Sequence, residues 1–94
     1  MTTVELKPNK IKIYGHCYND EKGKDIVCAA ISTLSEATCN FLKATDNKVS
    51  YIDCDWLYII KIKELNSQGK AIINSFKRMV DELIKDYPSN IRWR

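Results

Sequence analysis

Position 28 is a cysteine and position 16 is the only histidine of the chain. Both lie in the stretch from Gly15 to Ser32, which also holds Gly23 and Cys17. A thiol near the start of a helix, with an imidazole folded back beside it, gives an activated sulfur nucleophile. The imidazole takes the proton, and the free N–H groups of the helix end favour the thiolate. Together these effects can lower a thiol pKa from about 8.5 to ~3.5–7.5. Cys28 is therefore the candidate nucleophile and His16 the candidate base. The bland alternatives are a buried thiol on an amphipathic helix and a histidine that merely ends a strand.

The pattern around these two residues must bring them together. Lys10 to Tyr14 alternates, with Ile11 and Ile13 on one side and Lys10, Lys12 and Tyr14 on the other. This predicts a strand leading directly to Gly15 and His16. Neighbours on a strand point to opposite faces, so Cys17 is a poor partner for His16 and a thiol brought in by a loop is a better one. Tyr18 to Gly23 reads as a polar, mobile loop with Gly23 as its hinge. A helix follows from about Asp25 to Lys43, with Val27, Ala30, Ile31, Leu34, Thr38 and Phe41 on its apolar face. Asp25 is the expected N-cap, which places Cys28 third in the helix, within the field of the helix end. Cys28, Ser32, Ser35 and Cys39 form a second face of small residues. Ser32 either donates into the pocket or bonds back to the helix carbonyl four residues earlier.

The remaining elements supply a scaffold. Residues 2–7 alternate weakly and precede a turn at Pro8-Asn9-Lys10, so the first two strands form a hairpin. Val49–Asp53 and Trp56–Ile62 read as two further strands, turning near Asp53-Cys54-Asp55, the second of them central and buried on at least one face. A second helix starts at Asn66 or Ser67 and runs to about Tyr87. Ile72, Ile73, Phe76, Met79, Val80, Leu83, Ile84 and Tyr87 form its stripe, and Pro88 stops it. Asn90 to Arg94 reads as a last strand, with the Trp93 ring on the core rather than stacked on a nucleic-acid base. The fold expected is α+β: a two-layer sandwich of two amphipathic helices on a mostly antiparallel sheet of about five strands.

Composition narrows the function. Ninety-four residues fit one domain, 1–94, with 45% apolar and 29% charged residues. No apolar run approaches the roughly 18 residues of a membrane span. The first residues lack the order of a signal peptide, so the cytoplasm is expected. A net charge of +3 with scattered lysines gives no reason to expect direct binding of nucleic acid. The four cysteines, Cys17, Cys28, Cys39 and Cys54, include no pair with zinc-knuckle or redox spacing, so neither a metal nor another cofactor is expected.

The tract Gly15-His16, a loop, then Gly23-Lys24-Asp25-Ile26-Val27-Cys28-Ala29 with Ser32 four residues after the cysteine resembles the signature of the Prp (YsxB-like) ribosomal-processing cysteine proteases. Tyr87-Pro88-Ser89-Asn90-Ile91-Arg92 is similar to that family's closing segment, and the order of strands and helices extends the likeness over the whole chain. The resemblance implies a cysteine endopeptidase that removes an N-terminal extension from a large-subunit ribosomal protein precursor. In phages the same activity would act on capsid and scaffold proteins. It also implies a homodimer, with Cys28 as nucleophile, His16 as base, and Gly15, Gly23, Asp25 and Ser32 at supporting positions. One departure is Cys17, where other members often carry a small apolar residue. The competing reading is a non-catalytic module of the same fold that binds ribosomal protein or RNA.

Overall fold

The computed structural model describes residues 1–15, 22–54 and 57–94, with backbone alone at 22–25. Its elements are β1 (Thr2–Lys7), β2 (Lys10–Tyr14), α1 (Lys22–Ala44), β3 (Lys48–Cys54), β4 (Leu57–Glu64), α2 (Ser67–Asp86) and β5 (Ile91–Trp93). The strands form one sheet in the order β3-β4-β2-β1-β5. Every neighbouring pair is antiparallel except β1 and β5, which run parallel with Val4 opposite Trp93. The two helices pack on one another and cover one face of the sheet, the two-layer α+β arrangement expected from the sequence.

Period two decides which residues that face takes. Val4 pairs with Ile13, and Ile11 with Ile60. All four are buried, with Val4, Ile11 and Ile60 wholly so. The helices add Val27, Ile31, Cys39, Leu42, Phe76 and Val80. The buried stripe of α1 is rotated from the expected one. Ser35, Cys39 and Leu42 line it, whereas Phe41 is 61% exposed. The small residues made Leu42 and Phe41 equally compatible with the spacing, and the sheet takes Leu42. On α2, Met79 is likewise 52% exposed and the core takes Phe76 and Val80. Trp93 packs against the core, as expected, and its Nε1–H donates to Asp81 at 2.7 Å.

One side chain joins the end of α1 to the start of α2. Asn47 is buried, and its Nδ2 donates to the Leu42 carbonyl (3.2 Å) and to Thr45 Oγ1 (2.8 Å). Its Oδ1 accepts from the Asn66 backbone N–H at 2.8 Å. Asn66 is in turn the N-cap of α2, accepting from the Gly69 N–H at 2.8 Å. Asn47→Ala would leave the part-buried Asn66 N–H without its acceptor, worth about 1–3 kcal/mol, while the Leu42 carbonyl keeps the Asn47 backbone N–H at 3.0 Å. Thermal unfolding should fall by roughly 5–15 °C. Asn47→Asp, which keeps the acceptor for Asn66, should lose less.

Glu5 on β1 binds Lys7 Nζ at 2.9 Å and Arg94 at 3.3 Å. The Lys7 hydrogen bond, helped by the Lys7 and Arg94 charges, holds its carboxyl below the usual range despite burial. A carboxyl depressed by folding stabilises at neutral pH and loses that contribution as pH falls through and below about 4.3.

Candidate functional site

The site is approached from the exit of β2. Tyr14 lies opposite Leu57, and Leu57 lies opposite Cys54, so the β3–β4 tip sits beside the end of β2. Gly15 then turns with φ +94°. A Cβ there would strike the Met1 carbonyl oxygen, with Thr2 Cα 3.6 Å away. Only glycine fits both the positive φ and the close approach of β1. His16 and Cys17 lie outside the described residues, as does the loop from Tyr18 to Glu21.

Cys28 is half-buried and packs at the edge of the core beside the fully buried Val27. It is thus neither sealed nor on the open surface. Cys39 is 2% exposed and belongs to the core; Cys54 is exposed at the end of β3. Of the described thiols, Cys28 alone combines a rigid element with partial access.

Its position in the helix differs from expectation. α1 begins at Lys22, so Gly23 and Asp25 lie within it rather than at the loop end and the N-cap. Cys28 is therefore in the second turn, beyond the first four N–H groups that a helix leaves unsatisfied. The helix-end field falls off within the first turn. A helix end alone then gives weak activation of this thiol. Ser32 is exposed, and the serine that bonds back along the helix is Ser35, whose Oγ donates to the Ile31 carbonyl at 2.6 Å.

A cleft of about 220 Å³ opens between α1 and the β3–β4 hairpin, lined by Glu36, Cys39, Asn40, Tyr51, Asp53 and Tyr58. Glu36 follows Cys28 by eight residues, roughly 12 Å along the helix axis. Tyr51 and Tyr58 stack at 5.8 Å, with Lys43 Nζ 4.6 Å from the Tyr51 ring centroid. Burial first, then Cys39, Glu36 and Asp53, push the Tyr58 hydroxyl above the ordinary phenol range, so it stays a neutral donor. Sequence reasoning missed this cleft because it depends on the Asp53–Tyr58 register, which no local spacing encodes. Among the described residues no group of side chains could hold a metal ion, and no helix is long and apolar enough to cross a membrane.

The fold is similar to that of the essential ribosomal processing protease Prp from S. aureus in complex with a covalently linked product peptide. Identity is 21% over all of this chain and 98% of that one, with a TM-score of 0.86. The same protease in complex with a substrate peptide gives 18% identity over 99% of this chain and 95% of that one, with a TM-score of 0.84. SMU.848 from Streptococcus mutans gives 22% over 99% and 90%, with a TM-score of 0.74. At these identities the likeness is one of fold. No curated protein matches the chain. The family model of the cysteine protease Prp matches residues 1–92, nearly the whole chain, and the chain belongs to that family.

Proposed function

We propose that this cysteine protease trims the N-terminal extension of a large-subunit ribosomal protein precursor in the cytoplasm, with Cys28 as nucleophile and His16 as general base. The observation that carries the proposal is the family match across residues 1–92. The half-buried thiol on a rigid helix at position 28 supports the assignment of the nucleophile. His16 takes the thiol proton, and the sulfur attacks the scissile carbonyl. The tetrahedral oxyanion collapses to a thioester as the amine leaves with a proton from His16, and water releases the product. Gly15 sets the exit of β2, and Gly23, Asp25 and Ser32 act as supporting positions on or beside α1. Residues 1–94 act as one domain with one contiguous core, and the half-exposed stripe of α2 around Met79 supports a homodimer.

The test is incubation of the purified protein with a ribosomal protein precursor that carries an N-terminal extension, read by product mass. A single cut that releases the extension is expected. An intact precursor, with a phage scaffold protein cleaved instead, would move the substrate and leave the chemistry. Thiol labelling checks the nucleophile separately. Cys28 should react with iodoacetamide well below pH 8, at least tenfold faster than the exposed Cys54. Equal, slow labelling of both would remove the activated-thiol reading.

A further inference from the structure

The sheet has a second face, turned away from both helices. Directly opposed residues share a face, so the register lists its occupants. Lys7 pairs with Lys10, and Lys10 with Lys61, giving a row of three lysines across β1, β2 and β4. Lys12 lies on the same side beside Glu5, and Arg92 beside Thr3. Arg94 reaches Glu5 from β5. Among the described residues, Glu5 is the only carboxylate that the register places on this face. In the sequence these cations look scattered, because they come from four strands.

Like charges directly opposite on neighbouring strands are destabilising. The Lys7–Lys10–Lys61 row has this fault twice over; Glu5 offsets Lys7 at 2.9 Å, but no carboxylate lies between Lys10 and Lys61. Local rules broken without a compensating contact mark functional positions. The lysine row lies at the β1–β2 turn end of the face, and Glu5, Lys12 and Ile59 cross its middle, so the described residues place no buried aromatic anchor of the kind a stable protein interface uses. Its apolar residues, Ile52, Leu57 and Ile59, lie on β3 and β4. Its ring, Tyr14, carries Lys12 Nζ at 4.9 Å from the centroid. Strands repeat at about 4.8 Å and same-face residues at about 6.7 Å, which sets the spacing of the cations across the face. Such a field suits a polymer with one negative charge on every unit. An open sheet face can take an unpaired strand laid across it, and unpaired loops and ends are where proteins most often read RNA.

We propose that the open face of the sheet binds single-stranded RNA through its phosphates, with the Lys7–Lys10–Lys61 row as the centre of the contact. This replaces the expectation, drawn from the scattered sequence, that no nucleic acid is bound. It stands on the sheet register and is independent of the peptidase reading.

Lys10→Glu separates binding from structure. It places a carboxylate between Lys7 and Lys61 and turns two repulsive pairs into attractive ones. The fold should gain roughly 3–6 °C in thermal unfolding. Affinity for a short, unstructured, fluorescein-labelled RNA at about 50 mM salt, read by anisotropy, should fall about tenfold. Lys77→Glu on the exposed side of α2 makes the same change in net charge and should alter affinity less than twofold. For the parent protein, log affinity should fall with log salt at a slope of about −3, the value for four phosphates on a single strand. Cleavage of a short peptide should be unchanged in both variants. Absence of RNA binding, equal losses from Lys10→Glu and Lys77→Glu, or equal competition by polyglutamate, duplex DNA or anionic vesicles would overturn the proposal. Lys61→Gln carries the same test should Lys10→Glu fail to fold, with a loss of about threefold expected.

Discussion

Replacing Cys28 with alanine is expected to lower kcat/KM for precursor cleavage by a factor on the order of 10⁴ or more, while the protein stays folded. Loss of the nucleophile removes the covalent route, and what remains is binding and oxyanion stabilisation over the uncatalysed reaction. A factor of 10⁴ is about 5.5 kcal/mol of barrier. The fold should tolerate the change. Cys28 is half-buried at the edge of the core, so removing one sulfur should cost no more than about 1 kcal/mol, or roughly 4–8 °C. The other described thiols cannot take over. Cys39 is sealed in the core, and Cys54 lies at a strand end at the β3–β4 tip. Cys54→Ala should leave cleavage within twofold. Cleavage by the Cys28→Ala protein within tenfold of the parent would place the nucleophile elsewhere.

The helix boundary gives the companion variant a sharper reading. Cys28 sits in the second turn of α1, outside the strongest field of the helix end. If the imidazole supplies most of the activation, His16→Ala should lower the rate by about 10³–10⁴ and also move the alkylation profile. Reactivity at position 28 should then rise only near pH 8.5, as for an ordinary thiol. Retained reactivity well below pH 8 in His16→Ala would mean that something other than the imidazole activates the sulfur.

Much of this was legible in the sequence, for identifiable reasons. The alternation around Ile11 and Ile13 and the stripe around Phe76 and Val80 are strong periodic signals. They gave β2 and α2 almost to the residue, with the cap narrowed to Asn66 or Ser67, of which the structure takes Asn66; β1 followed from a weaker alternation. Where neighbouring residues were equally apolar, periodicity alone did not choose. It named Phe41, where packing took Leu42, and it included Met79 beside Phe76 and Val80, of which packing buried only the last two. Asp25 has a strong preference for caps, yet the backbone is already helical from Lys22. That displaced Cys28 by a turn and changed the account of its activation. Residue type and family resemblance suggested His16 and Cys28 as a pair, and His16 lies outside the described residues. Cross-strand relations were not legible, because a row such as Lys7–Lys10–Lys61 exists only once the strand order and register are known.

The largest expected loss of stability from a single methyl group lies at Gly15. Gly15→Ala should lower thermal unfolding by roughly 10–25 °C, from about 2–4 kcal/mol. Two independent terms add. An L-residue at φ +94° is strained, and its Cβ would meet the Met1 carbonyl. That obstacle is backbone and cannot rotate away. Relief requires β1 to shift, and β1 is held on both sides. Thr2 is buried, pairs with Ile91, and its N–H donates to the Asn90 carbonyl at 2.9 Å. The strain should therefore reach the β1–β5 pairing, visible as faster amide exchange at Thr2 and Val4. The same shift would move the chain entering residue 16, so kcat should fall further than KM rises when both are measured well below the melting temperature. A chemically synthesised chain with D-alanine at position 15 separates the terms. Its methyl group points away from Met1 and its preferred φ is positive, so it should match or exceed the parent in stability. If D-alanine destabilised as much as L-alanine, the close approach of Met1 and the positive φ would not be what position 15 requires.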